Sequence, residues 1–123
     1  MNEIEKPQAQ AGTGTGRSAM RLVIIESPYA GDINKNVRYL QRALRHSLDL
    51  GEAPFASHGF YPFVLDETNP KERDLGIKAG FAWGRVAEAV VFYTDLGWSP
   101  GMKAARTRAE RLGTPVEFRE IGL

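Results

Sequence analysis

Cysteine is missing from all 123 residues, and its absence excludes several kinds of chemistry. Disulfide bridges, thiolate zinc sites and cysteine nucleophiles all need that side chain. Only two histidines, His46 and His58, are present, which is too few for the usual histidine-rich metal sites. We therefore expect no metal and no other cofactor. A chain without cysteine also fits a reducing compartment, so we expect a cytoplasmic protein.

The sequence has neither a long apolar run nor an excess of charge of one sign. Its longest apolar stretch, residues 89–93, has the length of a strand, whereas a transmembrane helix needs about 20 residues. The 16 basic and 15 acidic side chains give a formal net charge of +1, which supplies no attraction toward nucleic acid or an anionic membrane. We expect neither as a partner. With 42% hydrophobic and 25% charged residues, the composition indicates one globular domain.

The first residues of the chain differ in composition from the rest. Ile4 is the only large aliphatic residue between Asn2 and Ala19, so this segment has little apolar surface to bury. We therefore predict a flexible tail over residues 1–19 and a single domain over residues 20–123. The Gly-Thr-Gly-Thr-Gly stretch is better explained as a linker than as a phosphate loop, because it precedes a predicted strand. We expect no secretory signal, because the segment lacks an apolar core.

Strand-like and helix-like segments alternate through the domain. Short apolar runs predict four strands, at residues 22–25, 52–55, 89–94 and 116–118, with three amphipathic helices between them. This alternation is typical of a parallel sheet with helices on both faces, connected by right-handed crossovers. We predict an α/β fold, a flavodoxin-like or Rossmann-like three-layer sandwich with a four-stranded parallel sheet in the order 2-1-3-4 and three helices.

The three predicted helices carry apolar stripes and recognisable ends. Asn69 and Pro70 are typical of a helix start, and Glu72 can complete a capping box with Asn69. The stripes are expected to face the core, which would leave His46 exposed. Their members are Val37, Leu40, Leu44 and Leu48 in the first helix, Leu75, Ala79, Ala82 and Val86 in the second, and Met102, Ala105, Ala109 and Leu112 in the third.

Glycines and tryptophans add two expectations about packing. Gly76, Gly80 and Gly84 are spaced by four residues, so they form a smooth side of the second helix that predicts close packing on a neighbour. We expect Trp83 to pack against the domain. Trp98 follows a glycine in a predicted loop, so we expect it near a ligand or a subunit contact.

The candidate binding site lies at the carboxyl edge of the predicted sheet, where the strand order reverses. The loops at residues 27–32 and 95–101 would meet there, and each leads into a helix whose first N–H groups suit a phosphate or carboxylate. We expect a shared anion-binding hollow, while ordinary roles in turns and caps would explain the same residues. The candidates are Ser27, Pro28, Tyr29, Gly31, Asp32, Gly97, Ser99 and Gly101.

Polar residues of the middle segment could extend this site. His58 and Tyr61 belong to a loop that could fold over the same edge, and a purely structural histidine is the competing interpretation. Asp66 and Asp74 lie near the start of the second helix. Either could hold a ribose hydroxyl or act as an acid or base, although helix starts favour acidic residues in any case.

Several segments carry a pattern that is informative only in combination. Residues 22–32 read as an apolar strand followed by Ser-Pro-Tyr-Ala-Gly-Asp, and the pattern continues at residues 51–58, 61–62, 75–77, 94–97 and 99–102. Together they resemble the nucleoside 2-deoxyribosyltransferase-like superfamily over about residues 21–119, and look most like a phage and bacterial branch known as a domain of unknown function. The resemblance implies a nucleoside or nucleotide as ligand, and a homo-oligomer in which a neighbouring copy completes the site.

The chain departs from the catalytic pattern of that superfamily. Its members cleave N-glycosidic bonds with a glutamate that follows a Gly-Met or Gly-Tyr pair and attacks the anomeric carbon. Here Gly101 and Met102 are followed by Lys103, which cannot be that nucleophile. Its ammonium could instead join the helix start in holding a phosphate, with Met102 as a further binding residue. The carboxylate would then come from elsewhere. Our catalytic candidates are Asp95, Asp74 and Asp66, with Asp32 and Glu26 as alternatives.

Two functions from different classes stay open on the sequence. One is a transferase or hydrolase acting on the N-glycosidic bond of deoxynucleosides or deoxynucleotides. The other is a non-catalytic module that senses, sequesters or assembles around a nucleotide. Binding of a nucleoside or nucleotide is common to both, and a structural domain with a vestigial cleft would lack it.

Overall fold

A computed structural model describes residues 19–123, so the predicted tail lies outside the described residues apart from Ala19. The described chain begins with a strand and alternates strands with helices. The strands are β1 (Arg21–Glu26), β2 (Glu52–Phe55), β3 (Ala89–Tyr93) and β4 (Val116–Arg119). The helices are α1 (Ile33–Asp49), α2 (Pro70–Gly84) and α3 (Pro100–Leu112). Two short 3-10 turns, at Ser57–Gly59 and Tyr61–Phe63, lie between β2 and α2.

The four strands form one parallel sheet in the order β2-β1-β3-β4, which confirms the predicted fold class and strand order. Every residue of β3 is buried, because helices cover both faces of the sheet around it. On one face α1 packs on the residues of β1 and β3 that include Val23 and Val91. On the other face α3 packs on Val90 and Phe92. None of the helices in residues 19–123 is both long and apolar enough to cross a membrane.

The buried side of α1 differs from the predicted stripe. Leu40 is buried as expected, but Leu48 is 49% exposed. Polar residues take part of the inner side because they find partners there: the Asn36 side chain donates to the backbone oxygens of Tyr29 and Ala30 at 2.9 and 3.0 Å. The buried residues of α1 are Asn36, Tyr39, Leu40, Ala43 and Ser47.

The expectation of an exposed His46 is also wrong. The imidazole is half-buried, with its ring edge toward the ring of Tyr93. Its Nδ1 lies 2.8 Å from the Tyr93 hydroxyl, so the two polar groups satisfy each other. The histidine is therefore part of the contact between α1 and the sheet.

The orientation of α2 reverses the predicted stripe. Leu75 and Val86 are each 58% exposed, whereas Gly76 is buried. A Cβ added at Gly76 would lie 3.2 Å from Leu65, and one added at Gly80 would lie 3.0 Å from Ser57. The close packing expected of the glycines is thus confirmed for these two, and it turns the apolar stripe outward.

The start of α2 follows the prediction in one respect and departs from it in another. The Asn69 side chain accepts hydrogen bonds from the backbone N–H groups of Lys71 and Glu72, so it caps the helix as expected. The Glu72 carboxylate accepts instead from the backbone N–H of Asp66 at 2.7 Å. Because it reaches this earlier residue, it ties the preceding loop to the helix and does not close the predicted capping box.

A charged network centred on Glu52 connects all four strands on the side of the sheet that faces α1. Arg119 of β4 makes two hydrogen bonds to the Glu52 carboxylate, at 2.7 and 2.9 Å, and Arg21 of β1 makes one at 2.7 Å. Arg119 also donates to the hydroxyl of Tyr93 in β3, and Ser47 donates to Glu52 at 2.7 Å. The hydrogen bonds from Arg119, with those from Arg21 and Ser47, outweigh burial and lower the pKa of Glu52 to about 2.

Glu52→Gln should destabilise the fold by about 2 kcal/mol at neutral pH, because it removes the buried carboxylate that Arg21 and Arg119 share and leaves only the more exposed Glu117 to pair with them. Since the folded pKa of Glu52 is about 2 against 4.5 ordinarily, its stabilisation is complete above about pH 4.5 and is lost as the pH falls toward 2. Urea unfolding of both proteins at about pH 7 and about pH 3 tests this.

Asp49→Asn is the matched control, because it removes a carboxylate from an exposed pair with Arg45 at 3.0 Å. Exposed pairs of this kind contribute about 0.5 kcal/mol or less. Equal losses of stability in the two variants would show that the network does not carry the energy assigned to it.

Candidate functional site

A cavity of about 380 Å³ lies between α2 and α3 above the sheet. Its volume falls in the range of small-molecule pockets. Several glycines and alanines lie on the facing sides of the two helices, and their small size leaves space between the helices. The lining residues of this kind are Gly80, Gly84, Gly101, Ala104, Ala105 and Ala109.

The cavity lies where the topology predicts a ligand site, at neighbouring strands whose connections leave in opposite directions. The lining includes residues 26, 27, 29 and 30 at the end of β1 and residues 99–102 at the start of α3. The first turn of α1 does not line it, so one helix start faces the space and not the expected two. Among residues 19–123, no group of three or more histidine, aspartate and glutamate side chains is placed to hold a metal ion.

Glu26, the last residue of β1, places its carboxyl group in the cavity. Successive strand residues point to opposite faces, so Glu26 faces α2 and α3 while Ile25 packs on the α1 side. No described residue forms a hydrogen bond or an ion pair with this carboxyl, and burial alone raises its pKa to about 8. The carboxyl group is therefore mostly protonated at neutral pH.

A buried serine and a half-buried histidine lie beside Glu26. The Ser27 Oγ is 2.8 Å from Nε2 of His58, and both residues line the cavity. Ser27 is only 5% exposed. Burial lowers the pKa of His58 to about 4, so the imidazole is neutral at pH 7 and can accept a proton. The pair joins the end of β1 to the 3-10 turn that follows β2.

The walls combine cations with apolar surface. Arg73 of α2 and Arg108 of α3 both line the cavity, with Glu67 as a nearby acid. The Arg108 guanidinium lies 4.0 Å from the ring centre of Phe81, within cation–π range. Ile77 adds aliphatic surface. The space can therefore hold a flat, partly apolar group together with an anionic one.

Half of the predicted binding residues line the cavity and half do not. Tyr29 and Ser99 are examples of the first group and stand on opposite loops. The lining residues are Ser27, Tyr29, His58, Ser99, Gly101 and Met102. The residues placed elsewhere are Pro28, Gly31, Asp32, Tyr61, Gly97 and Lys103.

Three of the residues placed elsewhere have local roles in the fold. Asp32 caps α1 by accepting from the backbone N–H of Lys35 at 3.2 Å. Gly97 has a φ of 88°, which favours glycine in the turn before α3. The Tyr61 hydroxyl accepts from the indole N–H of Trp83, and the Trp83 ring packs on Phe55 as expected although it is 48% exposed.

None of the three catalytic candidates lines the cavity. Asp74 is exposed on α2 and pairs with Lys78 at 2.9 Å. Asp66 accepts hydrogen bonds from both the backbone and the hydroxyl of Thr68. Asp95 faces the α1 side, where it accepts from the Tyr39 hydroxyl at 2.5 Å. The carboxylate of Asp95 also accepts from the backbone N–H groups of residues 121 and 122, which fixes the segment after β4.

Sequence reasoning placed Glu26 only among the alternatives, and it missed the two arginines. Alternation along β1 could have favoured Glu26. Successive strand residues point to opposite faces, so Glu26 must face the side of the sheet that Ile25 does not. Arg73 and Arg108 lie within helices, away from the strand ends where the topology rule places a ligand. The position of Arg73 beside the cavity depends on how α2 is oriented, and the apolar stripe predicted that orientation wrongly.

Glu26→Gln should stabilise the fold at alkaline pH, because the buried carboxyl must ionise there without a partner. Its folded pKa of about 8 exceeds the ordinary 4.5, so folding is penalised increasingly between these values and fully above pH 8. Each pKa unit corresponds to about 1.4 kcal/mol, and water in the open cavity screens part of the effect, so we expect about 2 kcal/mol at pH 9 relative to pH 5. Denaturant unfolding at both pH values measures it.

The surface variant Glu110→Gln is the control for the loss of one negative charge, because Glu110 is exposed on α3 and pairs with Arg106. If Glu26→Gln gains no stability over the wild-type chain between pH 5 and pH 9, the carboxyl is not confined as described.

Comparison with known proteins gives one assignment. Neither the curated proteins nor the solved structures contain a match to the chain. A family described as a domain of unknown function, DUF7768, matches residues 21–119, which run from the first residue of β1 to the last residue of β4 and include every residue that lines the cavity. The chain therefore belongs to the DUF7768 family.

Proposed function

We propose that the cavity binds a nucleoside or a nucleotide and that Glu26 acts on its N-glycosidic bond. The observation that carries this proposal is the half-buried Glu26 in the cavity lining, whose carboxyl group has no hydrogen-bond or ion-pair partner among residues 19–123. An unpaired buried carboxyl costs stability, and a strongly shifted pKa in a cleft is typical of a functional group. A bound ligand would supply the missing partner.

The cavity walls suit the parts of such a ligand. Ile77 and Phe81 offer apolar surface to a flat base. Arg73 and Arg108 offer positive charge to a phosphate, and the start of α3 adds the partial positive charge of a helix amino end. With a volume of about 380 Å³, the space suits a ligand of this size.

Glu26 takes the place of the glutamate that the resemblance to deoxyribosyltransferases would put after Gly101 and Met102. Lys103 stands there, exposed and outside the cavity lining. N-glycosidic cleavage needs a carboxyl group at the sugar or at the departing base. Among the acidic residues weighed for this role, only Glu26 lines the cavity.

A non-catalytic binding module is the second candidate, and a specific observation favours it. A carboxyl with a pKa of about 8 is mostly protonated at neutral pH, so it is a weak nucleophile there and a good hydrogen-bond donor. In that case Glu26 would recognise an acceptor atom of the ligand without breaking a bond. The two candidates share the same ligand and differ in the release of free base.

Incubation with deoxynucleosides and their 5′-monophosphates, followed by chromatography of the released base, tests the enzyme. We expect release from at least one substrate, and a loss of 10²-fold or more in Glu26→Gln, because the substituted amide cannot exchange the proton. Asp74→Asn is the matched control, since it removes an exposed carboxylate from α2 and should keep full activity.

A thermal-shift assay with the same compounds separates the two candidates. A ligand at about 100 times its dissociation constant should stabilise the fold by about 2.7 kcal/mol. Stabilisation without release of base would favour the binding module. If no compound stabilises the protein and none is cleaved, both candidates are wrong.

We also propose that the protein forms a homo-oligomer. Phe63 is 89% exposed and Val64 is 75% exposed, and both belong to the segment before α2. Exposed apolar side chains of this kind are often covered by another copy. Sedimentation velocity should show a species larger than the monomer, and Phe63→Ser should shift it toward the monomer. A monomer across the micromolar range would contradict this part of the proposal.

A further inference from the structure

We infer that the cavity hydrolyses its substrate with water and does not transfer the sugar, with Ser27 and His58 accepting the proton of the attacking water while Glu26 protonates the departing base. This inference rests on the proposed function and specifies its reaction. The structural basis is that a hydrogen-bonded hydroxyl–imidazole pair and a carboxyl group without a partner line the same cavity.

The Ser27–His58 pair has the geometry of a proton relay. The Oγ to Nε2 distance of 2.8 Å allows the Ser27 hydroxyl to donate to the imidazole. The oxygen of Ser27 then keeps its lone pairs for a donor on the cavity side, such as a water molecule. No acid among residues 19–123 hydrogen-bonds to the His58 ring and holds it as a permanent cation. The imidazole can therefore take up a proton during the reaction.

Glu26 precedes Ser27 in the chain, and its carboxyl group is a proton donor whereas the Ser27–His58 pair is a proton acceptor. The groups lining the cavity that could influence the titration of both are Tyr29 on the loop after β1, Glu67 before α2, Arg73 on α2 and Arg108 on α3. None of these four is hydrogen-bonded or ion-paired to the Glu26 carboxyl in the described chain. Burial therefore decides the state of Glu26, as it does for His58.

Burial acts on the two groups in opposite directions. The carboxyl, with a pKa of about 8, keeps its proton at neutral pH, and the imidazole, with a pKa of about 4, lacks one. An acid that holds its proton and a base that is free to accept one are the two partners that hydrolysis requires. A glycosyl transferase that works through a covalent intermediate would need Glu26 ionised instead.

The proposed step balances without any further reactant. A water oxygen bonds to the anomeric carbon as the bond from that carbon to the base nitrogen breaks. The water proton passes to the Ser27 oxygen while the Ser27 proton passes to Nε2 of His58. The Glu26 proton passes to the departing base, and the imidazolium and carboxylate left behind regain their starting states by exchanging one proton through solvent.

The wild-type protein tests the inference without any substitution. With the substrate found in the base-release assay, the rate should be constant between about pH 5 and pH 7. It should fall below about pH 4, where His58 is protonated, and above about pH 8, where Glu26 is ionised. A different free base, added in excess, should not appear in a new nucleoside. A transfer product, a sugar adduct on Glu26 in mass spectra, or a rate that rises through pH 8 would overturn the inference and leave the proposed function standing.

Variants of the relay give a second test. His58→Gln should slow base release about 10²-fold or more and remove the limb near pH 4. Ser27→Ala should slow release, whereas Thr107→Ala, which removes an exposed hydroxyl of α3 that lies outside the cavity lining, should not. Unchanged rates in folded His58→Gln and Ser27→Ala proteins would overturn the inference. If the wild-type protein releases no base from any substrate, the enzymatic form of the proposed function fails together with it.

Discussion

The contact between α2 and the segment that follows β2 determines where the molecule keeps an open space. Gly76 and Gly80 let the helix approach Leu65 and Ser57 so closely that an added Cβ would have to displace them by a few tenths of an ångström. Because α2 packs on this segment, it stands aside from the sheet and leaves room above Glu26. The same contact holds the turn that carries His58. A helix with alanine at both glycine positions would have to sit differently, and the cavity would change with it.

The opposite face of the sheet is stabilised by different means. Of the helices in residues 19–123, α1 alone packs on it, and the part over β4 is formed by the charged network in which Glu52 joins Arg21 and Arg119. Strands from both edges of the sheet are connected through one carboxylate. Networks of this kind are stabilising when every member is satisfied, and here the Glu52 carboxylate accepts from two arginines and from Ser47. The face covered by α1 thus contributes stability through its charged network, while the face toward α2 and α3 carries the cavity.

The fold could be predicted from the sequence because it depends on the order and type of whole segments, and less on single residues. The alternation of β-branched runs with helical segments implies a parallel sheet, and the limits of β2 agree with the predicted strand. The faces of the helices depend on finer terms. Asn36 is buried because its side-chain amide donates to two backbone oxygens of the preceding loop. Gly76 is buried because a residue without a side chain allows α2 to pack closely there. A stripe of apolar residues records neither effect.

The site was predictable in position but only partly in composition. The rule for parallel sheets located the edge, and it brought in Ser27, His58 and Ser99. The aspartates were harder to assign, because a carboxylate such as Asp95 satisfies backbone N–H groups as readily as it performs chemistry. Asp95 has hydrogen-bond donors around its carboxylate, whereas Glu26 has none among the described residues. Which donors surround a carboxylate depends on the three-dimensional packing and cannot be seen in the sequence.

The anchoring of the segment after β4 has a practical consequence. Asp95 holds the N–H of Gly122 at 2.9 Å, and Arg42 of α1 donates to the oxygen of the same residue at 3.1 Å. Chain that continued past Leu123 would therefore leave the molecule beside α1, on the face turned away from α2 and α3. A purification tag or a fused fluorescent protein attached there would emerge behind the sheet, and small molecules would still have free passage to the space between the other two helices.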